Sequence, residues 1–298
     1  MTNLEIDAVA GQGAPWLPAH IADETRLVSL PFGRVFVCDV HPDAAAVDAL
    51  PLVLLHGLFL THHAFSRIIP PLAARRRVVA LDLPGCGDSD RPNPRYAGQY
   101  GFDWMGDAVM QTLDALGISR CILVGHDHGG ALALSLASRH ADRFARLAVM
   151  APLALTVSLP LQGTLAVAPS LGIDVFRRTL RRGDLKRFLE QGLSTPELLD
   201  DSDLHVFWDR LCRVGGREAT YAMLGQMPSV VRLRDQFAAV HTPTTLIWGD
   251  RDALTPPEQS GRLAALLPNA TESLIDGCGH NPAYERPGEV VQLLERLE

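Results

Sequence analysis

No two cysteines in the 298-residue chain are spaced as C-x-x-C, and the five present (Cys38, Cys86, Cys121, Cys212, Cys278) are odd in number and scattered. That excludes a disulfide framework or a zinc site as the organising device and points to a reducing, cytoplasmic setting. Basic stripes are missing too. With a net charge of −7 the chain has no electrostatic footprint for nucleic acid. The Arg-rich stretch Arg177, Arg178, Arg181 and Arg182 is interleaved with acidic and apolar residues and reads as a solvated helix face. The only candidate membrane segment, 151–172, is broken by Pro152, Pro160, Gln162, Gly163 and Pro169, so no spanning helix is expected. The N-terminal segment carries acidic residues and lacks an apolar run, so no secretory signal is expected. Repeats and low-complexity tracts are absent. What remains, 47% hydrophobic and 20% charged, is enough for one large core carrying an insertion.

Along the chain, β-rich segments come first, at Arg26–Leu30 and Arg34–Val40, followed by a buried apolar run at Leu52–Leu55. Strand-like and helix-like segments then alternate: strands at Arg77–Leu81, Cys121–Val124 and Leu147–Met150, helices at Asp103–Leu116 and Gly130–Arg139. Such alternation predicts a mostly parallel sheet with helices on both faces. From about Ala151 to Val240 the pattern is helical only. Strands return at Thr244–Trp248 and Thr271–Ile275, with helices at Pro256–Leu267 and Pro287–Leu297. The expected division is a core of 1–151 and 241–298 and a helical cap of 152–240.

Residues 121–130 read C-I-L-V-G-H-D-H-G-G. Gly-x-nucleophile-x-Gly is a strained strand-to-helix turn that presents one side chain, and here Asp127 occupies the tip. A serine must lose a proton to attack, whereas a carboxylate with a reference pKa near ~3.9 is already ionised at neutral pH. A helix N-terminus stabilises that charge further. Such a group suits displacement at saturated carbon, leaving an ester on Asp127 that water must hydrolyse with the help of a base. The plainer alternative is a Gly-rich turn without chemistry. The His-Asp-His string also invites a metal reading, but no further spaced histidine pair accompanies it, and no metal or other cofactor is expected.

Three further features support the nucleophile. The strand 52–55 runs into His56-Gly57, whose loop can place the Leu58 N–H near Asp127; with the His128 N–H it would form an oxyanion hole. His56 itself reads as structural. After the helical segment, I-W-G-D-R-D puts Asp250 and Asp252 at a strand end, and G-C-G-H-N-P puts His280 on a loop before the last helix. The order Asp127, acid, His280 is that of a nucleophile, an orienting carboxylate and a general base.

With these motifs the chain resembles the aspartate-nucleophile branch of the α/β-hydrolase superfamily, which includes epoxide hydrolases, haloalkane dehalogenases and fluoroacetate dehalogenases. The likeness covers about 26–152 and 241–298 and includes His56-Gly57, the segment Asp82–Pro92, Gly125–Gly130, Gly249–Asp252 and Gly279-His280. It implies an α/β-hydrolase fold with a mostly parallel eight-stranded sheet and a helical cap. It selects Asp252 over Asp250, and it makes Asp82 and Asp88 loop-forming residues. It also implies a cap tyrosine that assists epoxide opening. Tyr221, 31 residues before Asp252, has the fitting spacing, and no tyrosine occurs between Ala151 and Thr220. Trp208 or His205 is the candidate for a second donor. Phe59 departs from the proline usual in the oxyanion loop. His128 replaces the Trp of haloalkane dehalogenases and the Arg of fluoroacetate dehalogenases. The implied activity is opening of an epoxide on a small apolar substrate. A dehalogenase, a non-hydrolytic biosynthetic enzyme and a silent receptor stand as alternatives, and the oligomeric state is left open.

Overall fold

The computed structural model describes residues 6–8, 25–42, 49–93, 99–155, 172–226 and 229–297. Most of the apolar stretch 151–172 therefore lies outside the described residues. Nine strands form one sheet: β1 (Ile6–Ala8), β2 (Thr25–Leu30), β3 (Gly33–Val40), β4 (Leu52–Leu55), β5 (Val78–Leu81), β6 (Cys121–His126), β7 (Phe144–Met150), β8 (Thr244–Gly249) and β9 (Ala270–Ile275). Their spatial order is β1-β2-β3-β5-β4-β6-β7-β8-β9. Pairing is antiparallel from β1 to β3 and between β3 and β5, and parallel from β5 onward.

The central strands β4, β5 and β6 are buried at every residue, as their unbroken apolar runs predict for strands covered on both faces. β1 adds a ninth, edge strand to the eight expected from sequence. Three residues are too few to carry a period, and Ile6 stays exposed.

The core has two parts, one on each side of the sheet. Helices α1 (Ile69–Ala73) and the C-terminal Pro287–Glu295 cover one face; α2 (Phe102–Ala115) and α3 (His128–Arg139) cover the other. Between β7 and β8 the described residues form α4 (Gly172–Thr179), α5 (Arg182–Gly192), α6 (Asp201–Cys212), α7 (Gly216–Gly225) and α8 (Val230–Leu233), with no strand among them. Of these, α5 and α6 lie over the C-terminal ends of the parallel strands, where open α/β sheets place their sites. No helix among the described residues is long and apolar enough to cross a membrane.

Candidate active site

β6 ends at His126, and Asp127 takes φ 53° and ψ −116°, a left-handed backbone that side chains normally avoid. The turn needs its flanking glycines. A Cβ on Gly125 would sit 2.4 Å from the Gly129 carbonyl oxygen, and one on Gly129 would sit 2.3 Å from that of Leu55. The Asp127 N–H donates to the Met150 carbonyl at 3.0 Å, and its own carbonyl accepts the N–H groups of Gly130, Ala131 and Leu153, each at 3.1 Å. Strain at this tip is thus held by pairing on both sides of the turn.

The Asp127 carboxylate is buried and faces two partners. Leu58 N–H donates to Oδ1 at 2.7 Å, and His280 Nε2 lies 3.2 Å from Oδ2. Burial would raise its pKa. The His280 hydrogen bond and charge, with lesser help from His126 and the Leu58 N–H, overcome this and lower it to about 2. The His128 N–H, the other expected oxyanion donor, makes no hydrogen bond to the Asp127 carboxylate in this arrangement.

Across the ring, His280 Nδ1 lies 2.8 Å from Asp252 Oδ2. Asp252 is itself fixed by the N–H groups of Leu254 (2.9 Å) and Thr255 (2.8 Å) and by the Thr255 hydroxyl (2.6 Å). Asp250, the competing carboxylate, is exposed and accepts the Cys278 N–H. The imidazole therefore bridges two buried carboxylates. Desolvation would lower its pKa, but the Asp252 charge and the hydrogen bonds to Asp127 and Asp252 raise it to about 10. The two flanking carboxylates favour the protonated form of its ring.

The neighbouring histidines are neutral. His126 Nε2–H donates to the His280 carbonyl at 2.8 Å, and burial pushes its pKa down to about 4. His128, also lowered to about 4 by burial, packs its ring 4.9 Å from Phe102. In His56, Nε2 accepts the Leu83 N–H at 3.0 Å, so Nδ1–H donates to the Gly57 carbonyl at 2.8 Å and the ring braces the loop. Asp82 accepts the His62 and Asp88 N–H groups, each at 2.7 Å, and is a loop organiser. Asp88 pairs with Arg210 of α6 (3.4 Å) and with Arg213 just after that helix. Phe59, standing where the family usually has proline, takes φ 63° and packs its ring 5.2 Å from Phe188 of α5. No group of His, Cys, Asp and Glu able to hold a metal ion occurs among the described residues.

A narrow cavity of about 40 Å³ opens above Asp127. Its described wall is apolar: Leu58, Leu60, Phe188, Leu189, Leu193, Leu199, Phe207 and Leu254. His126, His280, Asn281 and Tyr284 add the polar groups beside Asp127. Tyr284 spends its hydroxyl elsewhere, donating to Asp203 Oδ2 at 2.6 Å or the Leu198 carbonyl at 2.9 Å. The expected cap donors are not brought to this cavity. Tyr221 lies on α7 with its ring 5.7 Å from Phe176, and Trp208 is half-buried beneath the Arg217 guanidinium, 5.3 Å away. His205 is exposed. Helix periodicity explains this: α6 buries Leu204, Phe207 and Leu211, so its cavity-facing residue is Phe207. Spacing along the sequence could identify Tyr221 as a cap residue but not the neighbour it meets. Asn281, directly after His280, was not singled out from sequence, although the Gly-rich loop placed it beside the base.

Residues 51–287 match the α/β hydrolase fold family. The 2-hydroxymuconate semialdehyde hydrolase of Pseudomonas putida is 30% identical over 231 residues, covering 74% of this chain and 76% of the relative. The dihydrolipoyllysine-residue acetyltransferase component of the acetoin cleaving system of Pseudomonas putida is 31% identical over 249 residues. That match takes in 81% of this chain but only 61% of the longer relative. Among solved structures, the epoxide hydrolase CorEH superposes with a TM-score of 0.79 at 19% identity, over 92% of this chain and 97% of the other. At that identity the likeness is one of fold. The strand order, the strained turn after β6 and these matches agree: the chain belongs to the α/β-hydrolase family.

Proposed function

We propose that this hydrolase opens a small, uncharged, apolar electrophile, an epoxide in the first instance, through a covalent ester on Asp127. The observation that carries the reading is His280 spanning the two carboxylates, 3.2 Å from Asp127 and 2.8 Å from Asp252, with the far Asp127 oxygen on the Leu58 N–H. Asp127 attacks the ring carbon, the C–O bond breaks, and the freed oxygen takes the Nε2 proton of the His280 imidazolium. Esterification removes the negative charge of Asp127. The neutral imidazole then accepts a proton from water as the water oxygen adds to the Asp127 carbonyl carbon. The Leu58 N–H steadies the oxyanion, with the His128 N–H as its second donor in that intermediate. Collapse releases the diol and restores Asp127 and protonated His280. Residues 152–240 act as a cap that closes the cavity.

The substrate class follows from the wall. No Lys or Arg lines the cavity among the described residues, which disfavours a carboxylate substrate. A water needs roughly 10–15 Å³ of such space, so the closed cavity holds only a few small groups and larger substrates require the cap to move. Tyr221 and Trp208, the expected proton donors, stand elsewhere, and His280 takes that role. Attack by a carboxylate on an ester would give an anhydride, so an ester is not adopted as the substrate.

A second reading, halide displacement, draws on Asn281. Its side-chain amide makes no hydrogen bond among the described residues, and an N–H of this kind can hold a departing anion that needs no proton. Single turnover in oxygen-18 water tests the shared step, since Asp127 acquires the label if the ester forms. An unlabelled Asp127 after turnover would sink both readings. Halide release from small chloro- and bromoalkanes separates the two. Tight ligand binding without any turnover would favour a receptor.

A further inference from the structure

Beside the two catalytic carboxylates stands a further buried one with no part in the scheme above. Glu285 is 6% exposed, and among the described residues no cationic side chain pairs with it. Its oxygens collect donors from two separate segments. From the loop carrying His280, the Gly279 N–H lies 3.0 Å from Oε1 and 3.1 Å from Oε2, and the Asn281 N–H lies 3.3 Å from Oε1. From the segment leaving α5, the Ser194 N–H donates to Oε2 at 2.8 Å. Ser194 Oγ sits 2.7 Å from Oε2 and 2.8 Å from the Gly277 carbonyl oxygen, its one hydrogen serving either.

The same two segments also touch directly. His280 N–H donates to the Gly192 carbonyl at 2.6 Å, and a Cβ on Gly279 would sit 2.4 Å from that oxygen. Gly192 and Leu193 line the substrate cavity. One short stretch of the overlying helices thus closes the cavity and grips the backbone of the base. A buried charge without a counter-ion is costly unless N–H groups converge on it. A carboxylate, with about four acceptor sites, can take three backbone N–H groups and a hydroxyl at once.

We propose that Glu285 is a positioning residue that clasps the 192–194 segment to the His280 loop, so that His280 is aimed at Asp127 only while that segment is seated. The proposal deepens the reading of His280 as the group that activates water. Opening the cap to admit substrate then releases Ser194 from Glu285 and Gly192 from His280, and closure restores both.

The test uses the full-length chain with 1,2-epoxybutane as probe. Glu285→Gln keeps the shape but turns an NH₂ toward N–H donors. It should slow both half-reactions, each of which draws on His280, by on the order of 100-fold, the effect of a small misplacement of a catalytic group. The imidazole proton shared by His280 and Asp252, followed by NMR, should broaden and exchange faster, and the pH profile of breakdown should shift. Ser194→Ala, which removes only the hydroxyl, should move the same NMR signal to a smaller extent, and it decides the matter if Glu285→Gln does not fold. An unaltered His280 resonance in the folded variants overturns the clasp, as does wild-type speed in both half-reactions. If wild type forms no Asp127 ester with the probe, the proposed function fails, while the NMR result still judges the clasp.

Discussion

The two walls of the cavity are built on different terms. The floor, supplied by the sheet, holds three polar side chains from the ends of β6, β8 and β9, each fixed by several hydrogen bonds. The roof, supplied by the helices between β7 and β8, presents Phe188, Leu189, Leu193, Leu199 and Phe207. Chemistry needs groups held to fractions of an ångström, and a sheet with buried strands supplies that. Selection among apolar substrates needs only shape, which a helical layer can vary without disturbing the floor.

The contrast is tested most severely at the floor. Asp127→Asn should abolish turnover by on the order of 10⁴-fold or more, because no ester can form. Full activity in steady-state assays would refute the nucleophile. His280→Gln should slow ring opening, which loses its proton donor, and block ester hydrolysis, which loses its base, so that the alkyl-enzyme formed accumulates and is visible by intact mass. Asp252→Asn should lower the breakdown rate by roughly 10²–10⁴-fold through loss of the imidazole's orientation and charge support.

The electrostatics of the floor give a prediction with a definite sign. Asp127 helps to hold the His280 pKa near 10. Removing that charge in Asp127→Asn should make His280 titrate at lower pH than in wild type, as read by NMR of its ring protons. The same coupling links to stability. A pKa raised in the folded state contributes stability below the unfolded value of about 6.5. That contribution fades as pH rises toward about 10. Asp127, lowered to about 2, contributes above its ordinary value and is lost in acid. Wild type should therefore lose melting temperature between about pH 7 and pH 10 more steeply than His280→Gln.

Changes in the roof should be milder and should move selectivity rather than rate. Leu199→Ala should shift kcat/KM toward longer epoxides by roughly 10-fold, the range for small changes in an apolar pocket. Tyr221→Phe, away from the cavity, should keep turnover within about twofold of wild type and cost no more than about 1 kcal/mol of stability. A large fall in kcat would return Tyr221 to the list of donors.

The same division governs what could be read from sequence. The strands of the floor are short runs buried on both faces, so β4 and β5 are visible from composition alone, and the tight Gly spacing around Asp127 marks the turn. Asp252 over Asp250 rested on the resemblance, and the hydrogen bonds of Leu254 and Thr255 to Asp252 give it a physical basis. Tyr221 could not be placed, because periodicity reveals which face of a helix is buried but not what lies opposite. Glu285, flanked by Tyr284 and Arg286, looks like an ordinary solvated acid in the sequence. Its role arises only when a loop and a helix end, 91 residues apart for the Ser194 contact, converge on it. β1 was missed because three residues carry no pattern.

The positive φ at position 127 has a consequence for evolvability. Elsewhere in a chain, exchanging alanine for glycine loosens the fold. At this bend the ranking inverts, because an added methyl group has to endure the same twist that glycine adopts freely. A lineage drifting away from catalysis could therefore settle on glycine here and gain robustness, whereas every functional lineage must keep a side chain where the backbone least tolerates one.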